Sequence, residues 1–484
     1  MKRFRTTALL LALGVGAAVT AAAGATAGAE RAPSAARHST VAAALPSITS
    51  LSATTLPRSG RLVISGAGFG AVQAGGKVRI AGLRALVSRW SDSSITAYVP
   101  EGAPVATNPV QVLTTPGASN ELPLQVTLRQ SAGRLKWRFE VDTDYMLARP
   151  ATGANGTVYA NDNAGRLYAL TPGGGLKWLL RGVGGDGLTV GPDGTIYVGN
   201  TMEITAVNPN GTVKWTFAQN PGALILLGPT LGPDGNLYAV ATEGIGIFSL
   251  TPAGTLRWTI PEAYDRAIVT NQELAFGPGP GGSGTQMYFH ANNHFVGVDS
   301  GGTIRFAVAG SGSQPATGPD GTVYTHNWSP SSGGVLGAYD PAGTLNWTFY
   351  VSPNNISTKP DVGPDGTVYV GWNLGSLYAL NPTGTQKWRY TENGILNDPV
   401  ASLLGTLILT GGQPNYGQPG FFDAVNATTG KLLWKANLPL DNGSPIVPFS
   451  SSRPRFSTNG KTAYAPTITL GVYDHSFLYA IKTG

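Results

Sequence analysis

The chain has 484 residues, more than one ordinary core requires, so two or more domains are expected. It contains no Cys, which excludes disulfides, a lipid-modified cysteine, haem attachment and Cys-based zinc sites. The formal net charge of +6 is not a nucleic-acid footprint, because residues 131–484 carry 20 Lys and Arg against 22 Asp and Glu.

The N-terminus predicts a secretory signal peptide over residues 1–29. Lys2, Arg3 and Arg5 form a positive segment, Leu9 to Val19 a short apolar core, and Ala27-Gly28-Ala29 a small-residue cleavage motif. The apolar run is short, and no later segment is apolar over the ~20 residues that a membrane-spanning helix needs. We therefore expect export, to the cell envelope or the medium, without a transmembrane span once the signal is removed.

Residues 30–44 are rich in Ala and Ser without periodicity, which is typical of a flexible linker. From Leu45 the chain changes to short alternating stretches such as RLVISG, KVRIAG and PVQVLTT, separated by Gly, Pro and Ser. This pattern predicts an antiparallel sandwich over 45–130. The order PSITSLS, LVISGAGFG, VRIAG, VSRWSDSSITAYVPEGA and VQVLTTPGASNELPLQV resembles an IPT/TIG domain, an immunoglobulin-like module.

The strongest pattern in residues 131–484 is an internal repeat, seen most clearly in DVGPDGTVYVGWNLGSLYALNPTGTQKWRY at 361–390. Four short strands joined by tight turns in ~40 residues make one blade of a β-propeller. In the Pro-Asp-Gly turns, Pro presets φ, Asp caps the turn and Gly takes the left-handed position. The fold class predicted is therefore all-β, a sandwich followed by a propeller.

The aromatic residue of each fourth strand counts the blades. The series is Trp137, Trp178, Trp215, Trp258, Phe306, Trp347, Trp388 and Trp434. It predicts eight blades, or seven if the Phe306 blade, which carries the insertion GPGPGGSGT, is degenerate. Residues 133–139 (GRLKWRF) form a Trp strand without three strands before it, and 451–484 hold three strands without a Trp strand. We expect the 133–139 strand to complete the last blade, which closes the ring and removes a free edge.

The motifs LYAL and LYAI followed by T-G-x-x-x-W resemble the pyrroloquinoline-quinone-like repeat propellers. That superfamily includes quinoprotein alcohol dehydrogenases and a scaffold lipoprotein of outer-membrane barrel assembly. The resemblance implies pyrroloquinoline quinone and calcium as cofactors only by analogy, since no Glu/Asn pair with a catalytic Asp can be matched and the adjacent Cys pair is missing. We assign no catalytic and no metal residue.

Two other residue patterns are explained by architecture. The recurring Asp193, Asp234, Asp320 and Asp365 lie in Pro-Asp-Gly turns, where turn capping accounts for them better than a metal array. His290 and His294 are expected to flank a strand turn, and two His alone rarely form a metal site.

Candidate ligand-contacting residues lie in the loops between second and third strands and between blades, which share one end of a propeller, here named the loop face. These loops are long and carry aromatic residues beside polar ones, a mixture suited to protein or glycan recognition. The candidates are Tyr145, Tyr264, Asp265, Arg266, Trp328, Trp372 and Tyr416.

Two functional hypotheses follow. The first is an exported, non-catalytic binding or scaffold protein whose loop face recognises a protein or a glycan, with the sandwich as spacer or second contact module. The alternative is a propeller enzyme acting at the axial funnel, a quinone-dependent dehydrogenase or a lyase or hydrolase. The alternative predicts three or more carboxylates or amides converging on the axial channel.

Overall fold

A computed structural model describes residues 44–142, 149–185, 187–200, 203–218, 225–241, 246–260, 274–291, 294–312, 314–329, 333–352, 358–372, 375–448, 453–470 and 475–484. These residues are almost entirely β, as predicted. The signal segment and nearly all of the linker lie outside the described residues. Within the described ranges, no helix is long and apolar enough to cross a bilayer.

The N-terminal part is a sandwich of two sheets in the strand orders β1-β3-β7-β6 and β2-β9-β8-β4-β5. Its strands are β1 (Ser47–Leu51), β2 (Thr55–Pro57), β3 (Arg61–Ala67), β4 (Lys77–Ile80), β5 (Leu83–Arg84), β6 (Leu86–Trp90), β7 (Ser94–Tyr98), β8 (Thr107–Leu113) and β9 (Leu122–Thr127). Alternate side chains such as Leu62, Ile64, Val110 and Val112 face inward and are fully buried. The hydrophobic effect of this shared core holds the two sheets together.

The following strands form four-stranded antiparallel sheets, numbered here in chain order. After β10 (Leu135–Glu140), sheet 1 comprises β11 (Ala151–Thr152), β12 (Val158–Asn161), β13 (Arg166–Leu170) and β14 (Leu176–Arg181), and sheet 2 comprises β15 (Gly187–Val190), β16 (Ile196–Gly199), β17 (Glu203–Val207) and β18 (Val213–Ala218). Sheet 3 comprises β19 (Ile225–Leu231), β20 (Leu237–Ala241), β21 (Gly246–Leu250) and β22 (Leu256–Ile260). Sheet 4 comprises β23 (Ala275–Pro278), β24 (Thr285–Ala291), β25 (His294–Asp299) and β26 (Ile304–Ala309). A single 3-10 turn, Pro280–Gly282, lies between β23 and β24.

Sheets 5 to 8 follow the same plan, three of them with a first strand split in two. Sheet 5 comprises β27 (Ser311–Gly312), β28 (Ala316–Thr317), β29 (Val323–Ser329), β30 (Gly333–Tyr339) and β31 (Leu345–Ser352), and sheet 6 comprises β32 (Asp361–Val362), β33 (Val368–Trp372), β34 (Ser376–Leu380) and β35 (Gln386–Thr391). Sheet 7 comprises β36 (Ile395–Leu396), β37 (Val400–Ala401), β38 (Leu407–Gln413), β39 (Phe421–Asn426) and β40 (Leu432–Asn437). Sheet 8 comprises β41 (Leu440–Asp441), β42 (Ser444–Pro448), β43 (Arg455–Phe456), β44 (Thr462–Thr469) and β45 (Ser476–Lys482), together with β10.

First strands of neighbouring sheets contact one another in the pairs β11–β15, β15–β19, β23–β28, β28–β32 and β32–β37. These contacts place the first strands around the axis, with the fourth strands outermost.

The predicted closure by the early strand is confirmed. β10 pairs antiparallel with β45, with Trp137 opposite Ala480 and Phe139 opposite Leu478. The last sheet therefore takes its outermost strand from the start of the propeller. Separating the two ends would expose the edge of β45, so the closure resists unravelling from either terminus.

Six of the fourth-strand tryptophans join their sheet to the next. The indole Nε1 donates to a carbonyl in the following sheet's last turn at 2.8–3.1 Å, in the pairs Trp137–Pro172, Trp178–Pro209, Trp215–Pro252, Trp258–Ser300, Trp347–Pro382 and Trp388–Ala427. Each ring also covers a glycine of that turn with positive φ, for example Gly384 (φ 88°) beneath Trp347. Because a Cβ on Gly384 would lie 2.7 Å from the Trp347 ring, glycine is required there twice over, for its φ and for the contact.

The Phe306 sheet keeps this junction by another route. Phe306 covers Gly343 as the tryptophans cover their glycines, but it has no N–H to donate. The carbonyl of Pro341 instead accepts a hydrogen bond of 3.0 Å from Gln286 Nε2. The substitution of Trp by Phe is thus compensated by a side chain of the same sheet, and the sheet retains all four strands.

The sandwich packs directly on the propeller beside β10 and sheet 1. Tyr98 of β7 is 1% exposed and stacks on Phe139 at a ring-centroid distance of 5.3 Å, with Tyr168 edge-on at 6.1 Å. These rings belong to one continuous apolar cluster that also contains Trp137.

A buried ionic network lies next to these rings. Asp142, which is fully buried, accepts a hydrogen bond of 2.7 Å from Ser88 Oγ. Its carboxylate oxygens lie 3.1 Å from Arg61 Nε and 3.2 Å from Arg166 Nη2. Ser88 and Arg61 belong to the sandwich, whereas Arg166 begins β13. Because these charged groups are shielded from water, solvent cannot readily replace a lost partner. The network therefore favours one orientation of the sandwich on the propeller.

Candidate functional site

The loop face can be located from the strand order. Consecutive strands of a sheet are antiparallel, so the connection between second and third strands and the connection to the next sheet lie at the same end. The opposite end carries the short Gly-rich turns and is named here the turn face. The longest connection of the loop face within the described residues is 414–420, between β38 and β39.

Tyr416 occupies the middle of this connection. Its side chain is 84% exposed, more than any other large hydrophobic side chain of the described residues. The backbone N–H of Gln418 donates to the Asn415 carbonyl at 3.1 Å, which folds the loop tip into a turn around Tyr416. The phenol is thus presented on an ordered turn, a geometry that suits contact with a partner.

A charged cluster supports the base of this loop. Asp423, fully buried on β39, and Glu392 both lie within 2.9 Å of the Tyr390 hydroxyl. Lys435 Nζ lies 2.8 Å from Glu392 Oε2 and 3.9 Å from the centre of the Phe421 ring. Burial raises the pKa of the Asp423 carboxyl to about 6. The cluster ties sheet 6 to sheet 7 directly below the Tyr416 loop.

Two of the candidate residues need a correction. Trp328 and Trp372 belong to strands, β29 and β33, and not to loops. The Trp328 backbone pairs with Gly334 and Ser311, and Trp372 pairs with Ser376. The Trp372 side chain is half-buried and packs against the apolar cluster of sheets 5 and 6. Both hairpins extend further than the sequence pattern indicates, so each tryptophan lies near the end of a strand and not in a loop.

Four other candidates, Tyr145, Tyr264, Asp265 and Arg266, lie outside the described residues. Tyr416, the end of β29 and the end of β33 lie at the loop-face end of sheets 7, 5 and 6.

Residues that the structure describes line two cavities in the axial funnel, of about 270 and 510 Å³. Most of their described lining consists of backbone and small or apolar residues of the first strands, such as Gly187, Gly228 and Val362. Both cavities are also lined by Arg149 and Arg455, which the sequence analysis did not single out. The available signal was an arginine next to the recurring Pro of a first strand, in Arg149-Pro150 and Pro454-Arg455, where sheet 3 carries Gly228-Pro229-Thr230.

The described lining does not fit the calcium–quinone group implied by the resemblance. Calcium takes six to eight oxygen ligands, often several carboxylates, whereas Asp361 is the one acidic residue that lines either cavity in the described ranges. The residues described hold no group of three or more His, Asp or Glu placed to share a metal.

The acidic residues of the turn face cap their turns, as predicted. Asp193 accepts the Thr195 N–H at 3.0 Å, and Asp365 accepts the Thr367 N–H at 3.0 Å. Asp320 makes the same contact with Thr322, and Asp234 makes it with Asn236 at 3.2 Å. Each of these carboxylates therefore accepts a hydrogen bond from a backbone N–H of its own turn.

His290 and His326 are buried on neighbouring sheets. His290 Nε2 lies 2.6 Å from Thr325 Oγ1, and His326 Nε2 has no hydrogen-bond partner in the described part of the chain. Burial lowers the pKa of each imidazole to about 4, because it disfavours the charged form. His294 begins the next strand, so the predicted strand turn between His290 and His294 is confirmed.

These histidines predict acid sensitivity. Their pKa values are lower in the folded chain, so the unfolded chain binds more protons below pH 6.5 and stability falls with pH. We expect His326→Gln to remove about 2 kcal/mol of the loss in unfolding free energy between pH 7 and pH 5. Urea unfolding at both pH values measures this difference.

His475→Gln provides a control of opposite sign. A hydrogen bond to Asp441 raises the His475 pKa, so this residue stabilises the fold as pH falls, and its replacement should increase acid sensitivity. An unchanged pH dependence in His326→Gln would contradict the assignment of His326 as a buried neutral imidazole.

Comparison with known families agrees with this architecture. A model described as "Outer membrane protein assembly factor BamB" matches residues 125–276 and 294–467. The chain belongs to this family. Residues 46–127 match the IPT/TIG domain, which confirms the resemblance of the sandwich. No curated protein sequence matches the chain.

Solved structures resemble the BamB-family propeller in fold. BamB from Moraxella catarrhalis superposes with a TM-score of 0.52 at 15% identity, covering 71% of this chain and 98% of that one. The Dos1 propeller gives 0.54 at 13% identity, covering 72% and 94%, and Sqt1 from Chaetomium thermophilum gives 0.53 at 13%, covering 73% and 98%. At these identities the similarity is one of fold.

Proposed function

We propose that this chain is an exported, non-catalytic scaffold whose loop face binds a protein or a glycan. The observation that carries the proposal is Tyr416, 84% exposed on an ordered loop above a rigid base. Tyrosine supplies a large contact area at a small cost in conformational entropy, and rigid presentation lowers the ordering cost of binding. The family description, which names an assembly factor, supports a protein as the partner.

The proposal includes the domain order and the location. We assign residues 1–29 to a signal peptide, 30–44 to a linker, 45–130 to the sandwich and 131–484 to a ring of eight blades. Lys2, Arg3 and Arg5 before an apolar core support export, and the outer-membrane term in the family description supports the cell envelope.

Processing of the exported chain tests the location. We expect mass spectrometry of the protein recovered outside the cytoplasm of the producing cell to find Glu30 as its first residue, because cleavage follows Ala27-Gly28-Ala29. A chain that keeps Met1 and stays in the cytoplasm would contradict export.

The binding role is tested by placing a photo-crosslinking phenylalanine analogue at position 416 of the full chain in the producing cell. We expect adducts of discrete mass, which mass spectrometry identifies as protein or glycan. Tyr350, which is 55% exposed on the outermost strand of sheet 5, provides the matched control position.

The two positions must differ for the loop face to be the binding surface. Adducts equal in number and mass at 416 and 350 would indicate collision and not recognition. Absence of adducts at 416 in cells that process the chain normally would refute the assignment of this face.

A further inference from the structure

The turn-face end of the axial funnel has a wall that departs from the repeat. In each sheet the first strand leads into a tight turn. Two residues before the first residue of that turn, sheet 8 has Arg455, whereas most of the other sheets have a small or neutral side chain. The equivalents are Ala151, Thr189, Thr230, Ala275, Ala316, Asp361 and Val400. Four residues before the turn, the described series is Arg149, Gly187, Gly228, Gln314, Lys359, Asp398 and Arg453, and the sheet 4 position, Glu273, lies outside the described residues. Within the described series, cations are concentrated in sheets 8 and 1 together with Lys359 of sheet 6. A propeller can be built with glycine at this position, as sheets 2 and 3 show, so its architecture does not require these arginines.

The Arg149 guanidinium is held in place by neighbouring backbone. Arg149 donates from Nε and Nη2 to the Pro454 carbonyl, at 3.1 and 3.0 Å. These bonds fix the Arg149 head beside the strand that carries Arg455. An arginine positioned in advance loses less entropy when it binds an anion.

Two described carboxylates near this wall, Asp361 and Asp398, lie close to a different arginine. Arg453 is 6% exposed, donates to the Pro399 carbonyl, and lies 3.6 Å from Asp361 and 4.0 Å from Asp398. Asp361 also accepts the Ala401 N–H at 2.8 Å. These two acids therefore compensate the buried Arg453.

Arg455 faces the same cavities as Arg149. It lines both of them, its side chain is exposed, and in the described ranges it has no carboxylate within 4.0 Å. A concave wall of low dielectric strengthens the potential of such a charge. The hydroxyl-bearing residues Thr152 and Thr458 line the same cavity and supply neutral hydrogen-bonding groups.

The rim of the larger cavity is apolar on one side. Where sheets 2, 3, 5 and 6 have Gly-Pro-Asp-Gly, sheet 7 has Ser402-Leu403-Leu404-Gly405. Leu403 lines the cavity and is 63% exposed, and Leu404 is 71% exposed. The change removes an acid from the mouth of the funnel and places an aliphatic surface there.

We propose that the turn-face end of the funnel binds a small amphiphilic anion, with its carboxylate or phosphate on Arg455 and Arg149 and its aliphatic part against Leu403. The cavity of about 510 Å³ has the size of a small-molecule site. This site lies at the end of the propeller opposite to the Tyr416 loop, so it does not depend on the proposed partner binding.

Isothermal titration of the full mature chain with octanoate and with octyl phosphate tests the site. We expect saturable binding of at least one probe, and the comparison of the two identifies the preferred head group. Octylammonium, which has the same chain and the opposite charge, should not bind. We expect Arg455→Gln and Arg149→Gln to weaken binding about tenfold or more, because each removes a charge-assisted contact.

The controls separate the site from general charge and from folding. Arg84→Gln, on an exposed strand of the sandwich, should leave binding unchanged, as should Tyr416→Ala on the loop face. Leu403→Ser should weaken the binding of both anions roughly fivefold, because the apolar contact is lost. The Arg455 side chain makes no hydrogen bond within the described ranges, so Arg455→Gln should unfold at the wild-type temperature.

Two results would overturn the proposal. One is a lack of saturable binding for both anions by the wild-type chain. The other is an equal loss of affinity in Arg84→Gln and Arg455→Gln, which would reduce the effect to net charge.

Discussion

Replacement of Gly384 by alanine is expected to lower the free energy of unfolding by about 3 kcal/mol. Gly384 adopts φ 88°, a conformation that costs an L-residue energy, and an added Cβ would lie 2.7 Å from Cδ2 of Trp347. The ring cannot retreat without losing its hydrogen bond of 2.8 Å to the Pro382 carbonyl. Denaturant unfolding of the full chain measures the loss.

Gly235 provides the matched control. It also follows a tight turn, with φ 78°, but an added Cβ would meet nothing within 4 Å. Gly235→Ala therefore isolates the backbone cost and should lower stability by about 1 kcal/mol. Equal losses at the two positions would show that packing of Trp347 on Gly384 does not stabilise the junction between sheets 5 and 6.

Replacement of Asp142 by alanine is expected to destabilise the chain by about 3 kcal/mol, because the buried Arg166 and the partly buried Arg61 would each lose a carboxylate. Arg61 and Arg166 come from opposite sides of the contact between sandwich and propeller, so the change should also loosen the sandwich. We expect a lower unfolding free energy in urea and faster tryptic cleavage after Arg129 or Arg134, which lie between the two parts.

An exposed ion pair gives the comparison for Asp142. Lys214 lies 3.3 Å from Asp193, with side chains that are 40% and 55% exposed, and Lys214→Ala should change stability by less than about 0.5 kcal/mol. If Asp142→Ala cost no more than Lys214→Ala and left cleavage unchanged, the network would not be what orients the sandwich.

The sandwich is consequently more than a tethered module. It shares an apolar cluster with β10 and sheet 1, and residues 44–484 form one compact unit by their contacts. A partner bound at the loop face would encounter a propeller whose first and last sheets are held together by β10 and covered on their outer side by the sandwich.

The sequence was informative wherever the structure depends on a short pattern that is repeated. Gly-Pro-Asp-Gly predicted the turns, the fourth-strand aromatics predicted the junctions between sheets, and GRLKWRF predicted the closing strand. Each of these patterns is carried by a few consecutive residues. φ preference and turn capping act locally, and the closing strand is recognisable because it has no neighbouring strands in the sequence. The loop candidates were less well predicted, because Trp328 and Trp372 continue their strands beyond the turn that the pattern indicated.

The remaining features arise from residues far apart in the chain. No local pattern pairs Arg61 with Asp142, replaces the missing indole of Phe306 by Gln286, or brings Arg149 of sheet 1 to the Pro454 carbonyl of sheet 8. The patterns of residues 45–130 and of the repeat determined an immunoglobulin-like module followed by a propeller, because strand and turn preferences act locally. The tertiary structure decided which charges are buried and paired and left Arg455 facing the funnel, because burial and pairing depend on the closed ring.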